Sequence, residues 1–310
     1  MSKLKIMFMG TPEYALPVLE ALDKEYDLVA VVTQPDSFVG RKKKLTKSPV
    51  KIYAEEHNIK ILQPVKLRNE IELVNGIDCD IIITCAYGQI IPEDILYKPK
   101  YHTVNVHGSL LPKYRGGAPI EHAILNGEKK TGITIMYSDK GMDSGDIISQ
   151  EEIDILDTDN LDTLKEKLSI LGKDLLIKKL PDIINNKASR IKQNENEVTY
   201  APIIKREDEY LNFNDKATNI HNKVRALSTN GTYVVLDNQE IKIFETKIND
   251  NIIDSIPGTI TNIYKDGIGV ATKDNEIVIT KLQIPGKKIM LVKDYLNGIN
   301  KNELLNKKFN

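Results

Sequence analysis

The chain has no tryptophan, only two cysteines and no long hydrophobic run. Cys79 and Cys85 lack the spacing of a metal or redox motif, and two cysteines in a cytosolic chain indicate small core residues rather than a disulfide framework. No apolar segment approaches the ~20 residues that a helix needs to cross a bilayer, and residues 1–10 lack the apolar region of a signal peptide. We therefore expect a cytoplasmic protein that makes no contact with a membrane.

A strong net charge is also missing, since 43 Lys and Arg stand against 44 Asp and Glu, for a formal charge of -1. The balance conceals a basic cluster, which is either a solvated loop or a surface for a polyanion. The chain is long, with 310 residues and 41% hydrophobic content. A chain of this length is too long for one ordinary hydrophobic core, so we predict two domains. The basic cluster consists of Arg41, Lys42, Lys43, Lys44, Lys47 and Lys51.

The first half of the chain alternates short β-rich runs with helical patterns, which is typical of βα units on a parallel sheet. Leucines then recur mostly at three- and four-residue steps over residues 161–180, and this spacing predicts a long helix that ends the first domain. We predict an α/β fold, with a Rossmann-like domain and a mainly parallel sheet over residues 1–188. The β-rich runs are residues 5–9, 28–32, 80–84 and 103–106.

Beyond residue 184 the sequence turns polar and loses its apolar periodicity, so we place a linker at residues 189–206. Several short β-rich runs follow, separated by turns of Asp, Asn and Gly. Short strands separated by such turns predict a small OB-like antiparallel β-barrel domain over residues 207–310. The predicted strands are residues 232–236, 241–244, 258–263, 267–272 and 277–280.

Two polar residues, Asn105 and His107, lie at the end of a predicted strand, where an open α/β sheet binds its ligands. Strand alternation puts both on one face. A neutral imidazole can take a proton from an attacking amine while a neighbouring amide donates to a developing oxyanion. The same residues would also suit a strand end with no chemical role, and the two interpretations stay open on these residues alone.

A loop dense in Gly and Asp, residues 139–146, follows the predicted strand 132–137. Such a loop can bring a carboxylate against the imidazole or can be a plain turn, and which aspartate would serve stays open. Residues 112–120, rich in Gly and Pro, indicate a binding loop that the sheet positions. The turn at residues 9–12 is not a dinucleotide fingerprint, so no nucleotide cofactor is inferred from it.

Three motifs together resemble the folate-dependent formyltransferases: Asn105-Val106-His107, Ser109-Leu110-Leu111-Pro112, and Asp143. The resemblance implies a catalytic trio of Asn105, His107 and Asp143, with 10-formyltetrahydrofolate as formyl donor and no metal. It also implies a folate site along two segments. The trio occurs in relatives that act on other amines or hydrolyse folates, so it fixes the chemistry and not the acceptor. The implied folate contacts are Tyr87, Gly88, Gln89, Ile90, Ser109, Leu110, Leu111 and Pro112.

The basic cluster resembles an inserted loop in the tRNA-acting branch of this family, and residues 199–202, 257–260 and 282–290 resemble its linker and C-terminal domain. The resemblance implies formylation of methionyl initiator tRNA, and we expect the protein to act as a monomer. It assigns tRNA binding to Arg41, Lys42, Lys43 and Lys44. Charge supports this independently, because a flexible basic run gains affinity by releasing counterions from phosphates.

One departure concerns a tryptophan that the family usually carries in a proline-rich turn, where this chain has Ser228-Thr229-Asn230-Gly231-Thr232. We expect altered local packing there and loss of any tRNA contact that the turn makes. The alternatives are a nucleotide-linked sugar amine as acceptor, or a nucleic-acid-binding protein with an inactive formyltransferase fold. A metal site of His102, His107 and His122 is poorly placed, because His102 is out of phase with His107 on the strand.

Overall fold

The computed structural model describes residues 3–39 and 44–310. The chain divides into two compact units, and it passes from one to the other more than once rather than at a single linker. The boundaries 1–188, 189–206 and 207–310 therefore stay a prediction. The first unit comprises Met1–Pro119, Lys130–Asp154 and Lys165–Pro202, and the second comprises Ile120–Lys129, Ile155–Leu164 and Ile203–Asn310.

A seven-stranded sheet forms the centre of the first unit, in the order β5-β2-β1-β6-β7-β8-β9. Pairing is parallel from β5 to β7 and antiparallel for β7–β8 and β8–β9, which confirms the expected mainly parallel sheet. Strands β3 and β4 pair separately as an antiparallel hairpin. The strands are β1 (Lys5–Gly10), β2 (Asp27–Val32), β3 (Ser37–Val39), β4 (Lys44–Thr46), β5 (Ile61–Leu62), β6 (Ile81–Cys85), β7 (Thr103–His107), β8 (Lys130–Tyr137) and β9 (Ile147–Asp154).

The sequences of β1 and β6 are continuously apolar because both strands are buried. Phe8 and Ile83 are each 0% exposed, as expected for central strands that are covered on both faces. One side of the sheet builds a core cluster that includes Met7, Ile82 and the ring of Tyr87. The apolar pattern of these strands thus fixes their central position, which in turn fixes where their polar C-terminal ends emerge.

Helices connect the strands and continue into the second unit. Helix α2 begins at a conventional cap, where the Ser48 hydroxyl accepts the Lys51 amide at 3.1 Å and Pro49 takes the first helical position. None of the helices in the described residues is long and apolar enough to span a membrane. The helices are α1 (Leu16–Glu25), α2 (Pro49–Glu56), α3 (Ile71–Asn75), α4 (Glu93–Leu96), α5 (Pro119–Leu125), α6 (Leu161–Ile184), α7 (Ala217–Ala226) and α8 (Val292–Leu296). Single 3₁₀ turns lie at Glu13–Ala15, Leu67–Asn69, Glu195–Glu197, Arg206–Glu209 and Lys301–Glu303.

The second unit is built on an antiparallel sheet of order β10-β11-β14-β13-β12, with β15 paired to β14. The chain's end bonds to both outer strands: Val235 of β10 donates to Asn310 at 2.8 Å, and Ile260 of β12 donates to Lys307 at 2.8 Å. These bonds cover the two sheet edges, and the expected antiparallel domain is confirmed. The strands are β10 (Thr232–Leu236), β11 (Gln239–Asn249), β12 (Ile260–Ile263), β13 (Ile268–Ala271), β14 (Glu276–Gln283) and β15 (Met290–Leu291).

In the turn where the family usually carries a tryptophan, this chain packs the ring of Phe244 over Gly231. Its φ is +74°, and a Cβ there would lie 2.7 Å from the ring of Phe244, so the ring covers the glycine directly. The hydroxyls of Ser228 and Thr229 donate to the Asp162 carboxylate at 3.2 and 2.7 Å. Polar contacts to one aspartate thus stand where an indole would otherwise be expected.

Candidate active site

Strand β7 places Asn105 and His107 on one face of the sheet, at the edge where β1, β6 and β7 end. Asn105 lies opposite Thr84 of β6, and His107 lies opposite Thr134 of β8. The Thr84 hydroxyl donates to Asn105 Oδ1 at 2.8 Å. Because the oxygen of the amide is held by Thr84, the Nδ2 group of Asn105 is left as a hydrogen-bond donor.

The imidazole of His107 is 6% exposed, and its tautomer follows from its neighbours. Nε2 lies 3.0 Å from the backbone carbonyl of Tyr114, which can only accept, so Nε2 carries a proton. In the neutral ring Nδ1 then has a lone pair. Nδ1 lies 3.7 Å from Asp143 Oδ1, too far for a direct hydrogen bond but close enough to stabilise an imidazolium.

Asp143 is held on the loop between β8 and β9 in a backbone conformation with φ +46°. Its Oδ2 accepts the amide of Gly116 at 2.8 Å. Gly116 has φ +119°, and a Cβ there would lie 2.7 Å from the carbonyl oxygen of Ala201. Only glycine fits this close approach, so the backbone at Gly116 is built to hold the carboxylate.

The turn after β7 is fixed by internal hydrogen bonds. Ser109 Oγ donates to the Lys113 carbonyl at 2.7 Å, and Thr134 Oγ1 donates to the Ser109 carbonyl at 2.6 Å. The Leu111–Pro112 peptide bond is cis. Ser109 and Leu111 are 0% and 3% exposed. Their side chains therefore shape the turn, while Leu110 and Pro112 are partly exposed.

The second predicted folate segment follows β6. The Tyr87 ring is buried in the core, burial raises the pKa of its phenol, and its backbone carbonyl accepts from Thr11 Oγ1 at 2.9 Å. The Gln89 amide is held inside the protein by the Leu67 amide and the Pro64 carbonyl. Ile90 is 84% exposed. This segment thus offers its backbone and the Ile90 side chain to a ligand.

Only one of the predicted tRNA-binding residues lies in a described strand of the hairpin formed by β3 and β4. Lys44 is exposed on β4, whereas Arg41, Lys42 and Lys43 lie outside the described residues. Phe38 and Leu45 are cross-strand partners in this hairpin and are 71% and 54% exposed.

The sequence pattern drew attention to no side chain in the predicted linker, yet Gln193 of that segment contacts the loop that carries Asp143. Its Nε2 donates to the carbonyls of Asp143 and Gly145 at 2.7 and 2.9 Å. The segment is bonded along its length, because Ile191 pairs with Ile147 and Thr199 accepts the Arg115 amide at 2.9 Å. The lack of apolar periodicity in this segment gave no sign of these contacts.

The arrangement provides a basic nitrogen, an amide donor and a carboxylate, and the hydroxyls of Thr84 and Ser109 are engaged in hydrogen bonds to the protein. Cys85 is 1% exposed, and burial raises the pKa of its thiol to about 12, so it is inert. Among residues 3–39 and 44–310 no group of three or more His, Cys, Asp or Glu side chains could hold a metal ion. The geometry suits direct transfer of an acyl group to an amine.

Comparison with known proteins agrees with this chemistry. The model of the formyl transferase family matches residues 3–180, and that of its C-terminal domain matches residues 203–300. The chain belongs to the formyl transferase family, a class of formyl-transferring enzymes. It is 46% identical over 308 residues to the methionyl-tRNA formyltransferase of Staphylococcus aureus strain MW2, covering 98% of this chain and 99% of that protein.

Solved structures show the same fold. An N-formyltransferase from Helicobacter canadensis, in complex with folinic acid and dTDP-3-aminofucose, matches with a TM-score of 0.68 and 25% identity over 90% of this chain and 99% of that one. A methionyl-tRNA formyltransferase from Clostridium thermocellum matches with a TM-score of 0.55 and 18% identity, covering 80% and 95% of the two chains.

Proposed function

We propose that the protein transfers the formyl group of 10-formyltetrahydrofolate to the α-amino group of methionyl initiator tRNA. The observation that carries the proposal is the trio's geometry, with Nδ1 of His107 facing Asp143 beside the Asn105 amide. The full-length similarity to a methionyl-tRNA formyltransferase supports the choice of acceptor. The folate-bound relative of this fold supports a folate as formyl donor.

The reaction forms one bond and breaks one. The amine nitrogen attacks the formyl carbon, and the carbonyl oxygen becomes an oxyanion that accepts a hydrogen bond from Asn105 Nδ2. His107 Nδ1 takes the proton that the amine loses, and Asp143 stabilises the imidazolium. The bond between the formyl carbon and N10 of the folate then breaks as that nitrogen recovers a proton. The products are formylmethionyl-tRNA and tetrahydrofolate.

The folate is proposed to lie along the two segments that flank the trio. Because the side chains of Tyr87 and Ser109 are buried, the donor would contact mainly backbone atoms of Tyr87, Gly88, Gln89 and of Ser109 to Pro112. The exposed Ile90 and the partly exposed Leu110 would supply apolar contact. A site of this kind is specified by backbone shape more than by charged side chains.

The tRNA is proposed to bind through Arg41, Lys42, Lys43 and Lys44 and through the C-terminal domain. The charge of this cluster favours a polyanion, and Lys44 is exposed to meet it. RNA in the A form hides base edges in a deep groove, so we place discrimination at an opened end of the acceptor arm. We further propose that the enzyme works as a monomer in the cytoplasm, with domains at residues 1–188 and 207–310 joined by residues 189–206.

The rival acceptor is a nucleotide-linked sugar amine, which the Helicobacter relative favours because its structure contains one. That relative is less similar than the Staphylococcus aureus enzyme, at 25% against 46% identity. The test is transfer of labelled formyl to methionyl initiator tRNA, methionyl elongator tRNA and dTDP-3-aminofucose in parallel. We expect fast transfer to the initiator tRNA alone, and preferential transfer to the sugar would overturn the proposal.

A further inference from the structure

The structure assigns a positioning role to Gln193, which with Arg115 fixes Asp143 opposite His107 for the transfer step. Gln193 lies in the segment that the sequence marked as a linker. It touches none of the reacting groups directly and acts through the loop of Asp143. The inference rests on the proposed function only in using the same trio and the same reaction.

The amide of Gln193 is held in one orientation by its neighbours. Its Oε1 accepts from Arg115 Nε and Nη2 at 3.0 and 2.9 Å, and a guanidinium can only donate. Its Nε2 faces the carbonyls of Asp143 and Gly145 at 2.7 and 2.9 Å, and carbonyls can only accept. Each side of the amide therefore matches its partner, and the group cannot flip without losing every one of these bonds.

The side chain and the backbone of Arg115 are also held by hydrogen bonds, as is the Gln193 amide that it binds. Arg115 is 3% exposed, and its Nη2 pairs with Glu195 Oε1 at 2.8 Å. The hydrogen bond from Arg115 lowers the pKa of the Glu195 carboxyl, so the partner stays ionised. The backbone of Arg115 is bonded on both sides, donating to Thr199 at 2.9 Å and accepting from Ala201 at 2.7 Å.

The neighbours of Arg115 in sequence are the backbone partners of two members of the trio, His107 and Asp143. Tyr114 supplies the carbonyl that binds His107 Nε2, and Gly116 supplies the amide that binds Asp143 Oδ2. The chain from Tyr114 to Gly116 therefore sets the imidazole and the carboxylate together. Gln193 joins this chain to the backbone of Asp143, so displacing Gln193 would move the carboxylate relative to the imidazole.

A nearly isosteric variant tests the inference. Gln193→Glu puts an oxygen against two carbonyls while the other oxygen keeps its bonds to Arg115. Because a displacement of about 1 Å can cost about 10²-fold in rate, we expect kcat to fall by about that factor. We expect the KM for the donor and for methionyl initiator tRNA to stay within about twofold, and Tm to stay near the wild-type value. Unchanged kcat, or KM rising while Tm falls, would overturn the role.

Two matched variants accompany it. Asn185→Asp adds the same charge at an exposed amide that also donates to a carbonyl, that of Pro181 at 2.8 Å, and should leave kcat unchanged. Gln193→Met keeps the length of the side chain and adds no charge, so it serves if the glutamate variant fails to fold. It has the same expected loss of kcat, and wild-type kcat in Gln193→Met would contradict the inference.

A double-mutant cycle separates positioning of Asp143 from any other effect. In an enzyme that already carries Asp143→Asn, adding Gln193→Glu should lower the single-turnover rate by less than about twofold. The reason is that Gln193 acts by positioning the Asp143 carboxylate, which this variant lacks. Equal losses in both backgrounds would show that Gln193 acts by another route. If the wild type formylates only the sugar amine, the proposed function fails, and the same cycle measured with that acceptor still decides the role of Gln193.

Discussion

Thr84 and Tyr114 decide which atoms of the two proposed catalytic side chains remain available. Thr84 Oγ1 holds the oxygen of Asn105, and the Tyr114 carbonyl holds Nε2 of His107. The donor of the amide and the lone pair of the imidazole are left for the reaction. Neither partner is recognisable from sequence, because Thr84 lies on a neighbouring strand and Tyr114 acts through its backbone.

Thr84 gives a residue-scale prediction. Thr84→Val keeps the shape of a side chain that is 5% exposed but removes the hydroxyl that orients Asn105. We expect kcat to fall roughly tenfold, the lower end of losses for groups that orient an active-site side chain. Thr84→Ser restores the hydroxyl and should recover most of the rate. Equal rates for the valine and serine variants in a steady-state formyl transfer assay would refute this orientation of Asn105.

At the scale of single elements, β3 and β4 present an exposed hairpin whose sequence is basic. Lys47 and Lys51, which follow it, are paired with Glu55 at 2.6 Å and with Asp36 at 2.8 Å. Part of the cluster's charge is therefore already compensated within the protein. The charge that serves the proposed tRNA contact is then carried by Lys44 and, in sequence, by Arg41 to Lys43.

The hairpin's role is tested by removing charge from it. Arg41→Ala and Lys44→Ala should each raise the KM for methionyl initiator tRNA and leave the KM for the folate unchanged. The slope of log affinity against log salt should become shallower by about 1 for each cation that contacts a phosphate. Lys24→Ala, at an exposed lysine of α1, is the charge-matched control. Equal changes in tRNA and folate KM would argue against the assignment.

The sheet of the second unit contains a buried carboxylate, Glu276, that is 0% exposed. Its oxygens accept from Asn249 and Thr261 at 2.8 Å and from Asn262 and Tyr264 at 2.6 Å. Burial raises the pKa of this carboxyl, but the four hydrogen bonds outweigh burial and hold the pKa below its usual value. The charged form therefore stabilises the fold.

The sign of the pH dependence follows from this lowered pKa. The stability from Glu276 is present above the unfolded carboxyl's pKa of about 4.3 and is lost as the pH falls toward the folded value. Glu276→Gln should lower the free energy of unfolding at pH 7 by about 1–3 kcal/mol, and should lessen its decline below about pH 4.5. Urea unfolding of the wild type and of Glu276→Gln from pH 7 to pH 3 measures both effects. If the free energy of unfolding fell equally with pH in the two proteins, the role given to Glu276 would be contradicted.

Elements with a clear apolar pattern could be predicted from the sequence. The apolar runs over β1, β6 and β7 predict buried strands, and the leucine spacing predicts α6. The antiparallel pairing of β8 and β9 could not be predicted, since strand direction depends on tertiary partners that the local pattern does not encode. The contacts of Gln193 could not be predicted either, because its bonds to the loop of Asp143 join residues about fifty positions apart.

At the scale of the whole molecule, the prediction of a formyltransferase fold and function is confirmed by the family match over residues 3–180 and 203–300. The roles of Asn105, His107, Asp143 and the folate and tRNA contacts stay predictions, as do the domain boundaries. At the turn without the family's tryptophan, Ser228 and Thr229 donate to Asp162 within the second unit, and the expectation of altered packing stays a prediction. The proposed function therefore depends on the transfer reaction itself and on the contribution of the trio to it.

That claim is tested most directly by stoichiometry. Methionyl initiator tRNA and 10-formyltetrahydrofolate are incubated with the enzyme, and both tetrahydrofolate and N-formylmethionine released from the tRNA by base are quantified. We expect equal amounts of the two products for the wild type, and a rate about 10²–10³-fold lower for Asn105→Ala, which loses the oxyanion donor. Tetrahydrofolate without formylmethionine, or wild-type turnover by Asn105→Ala, would contradict the claim.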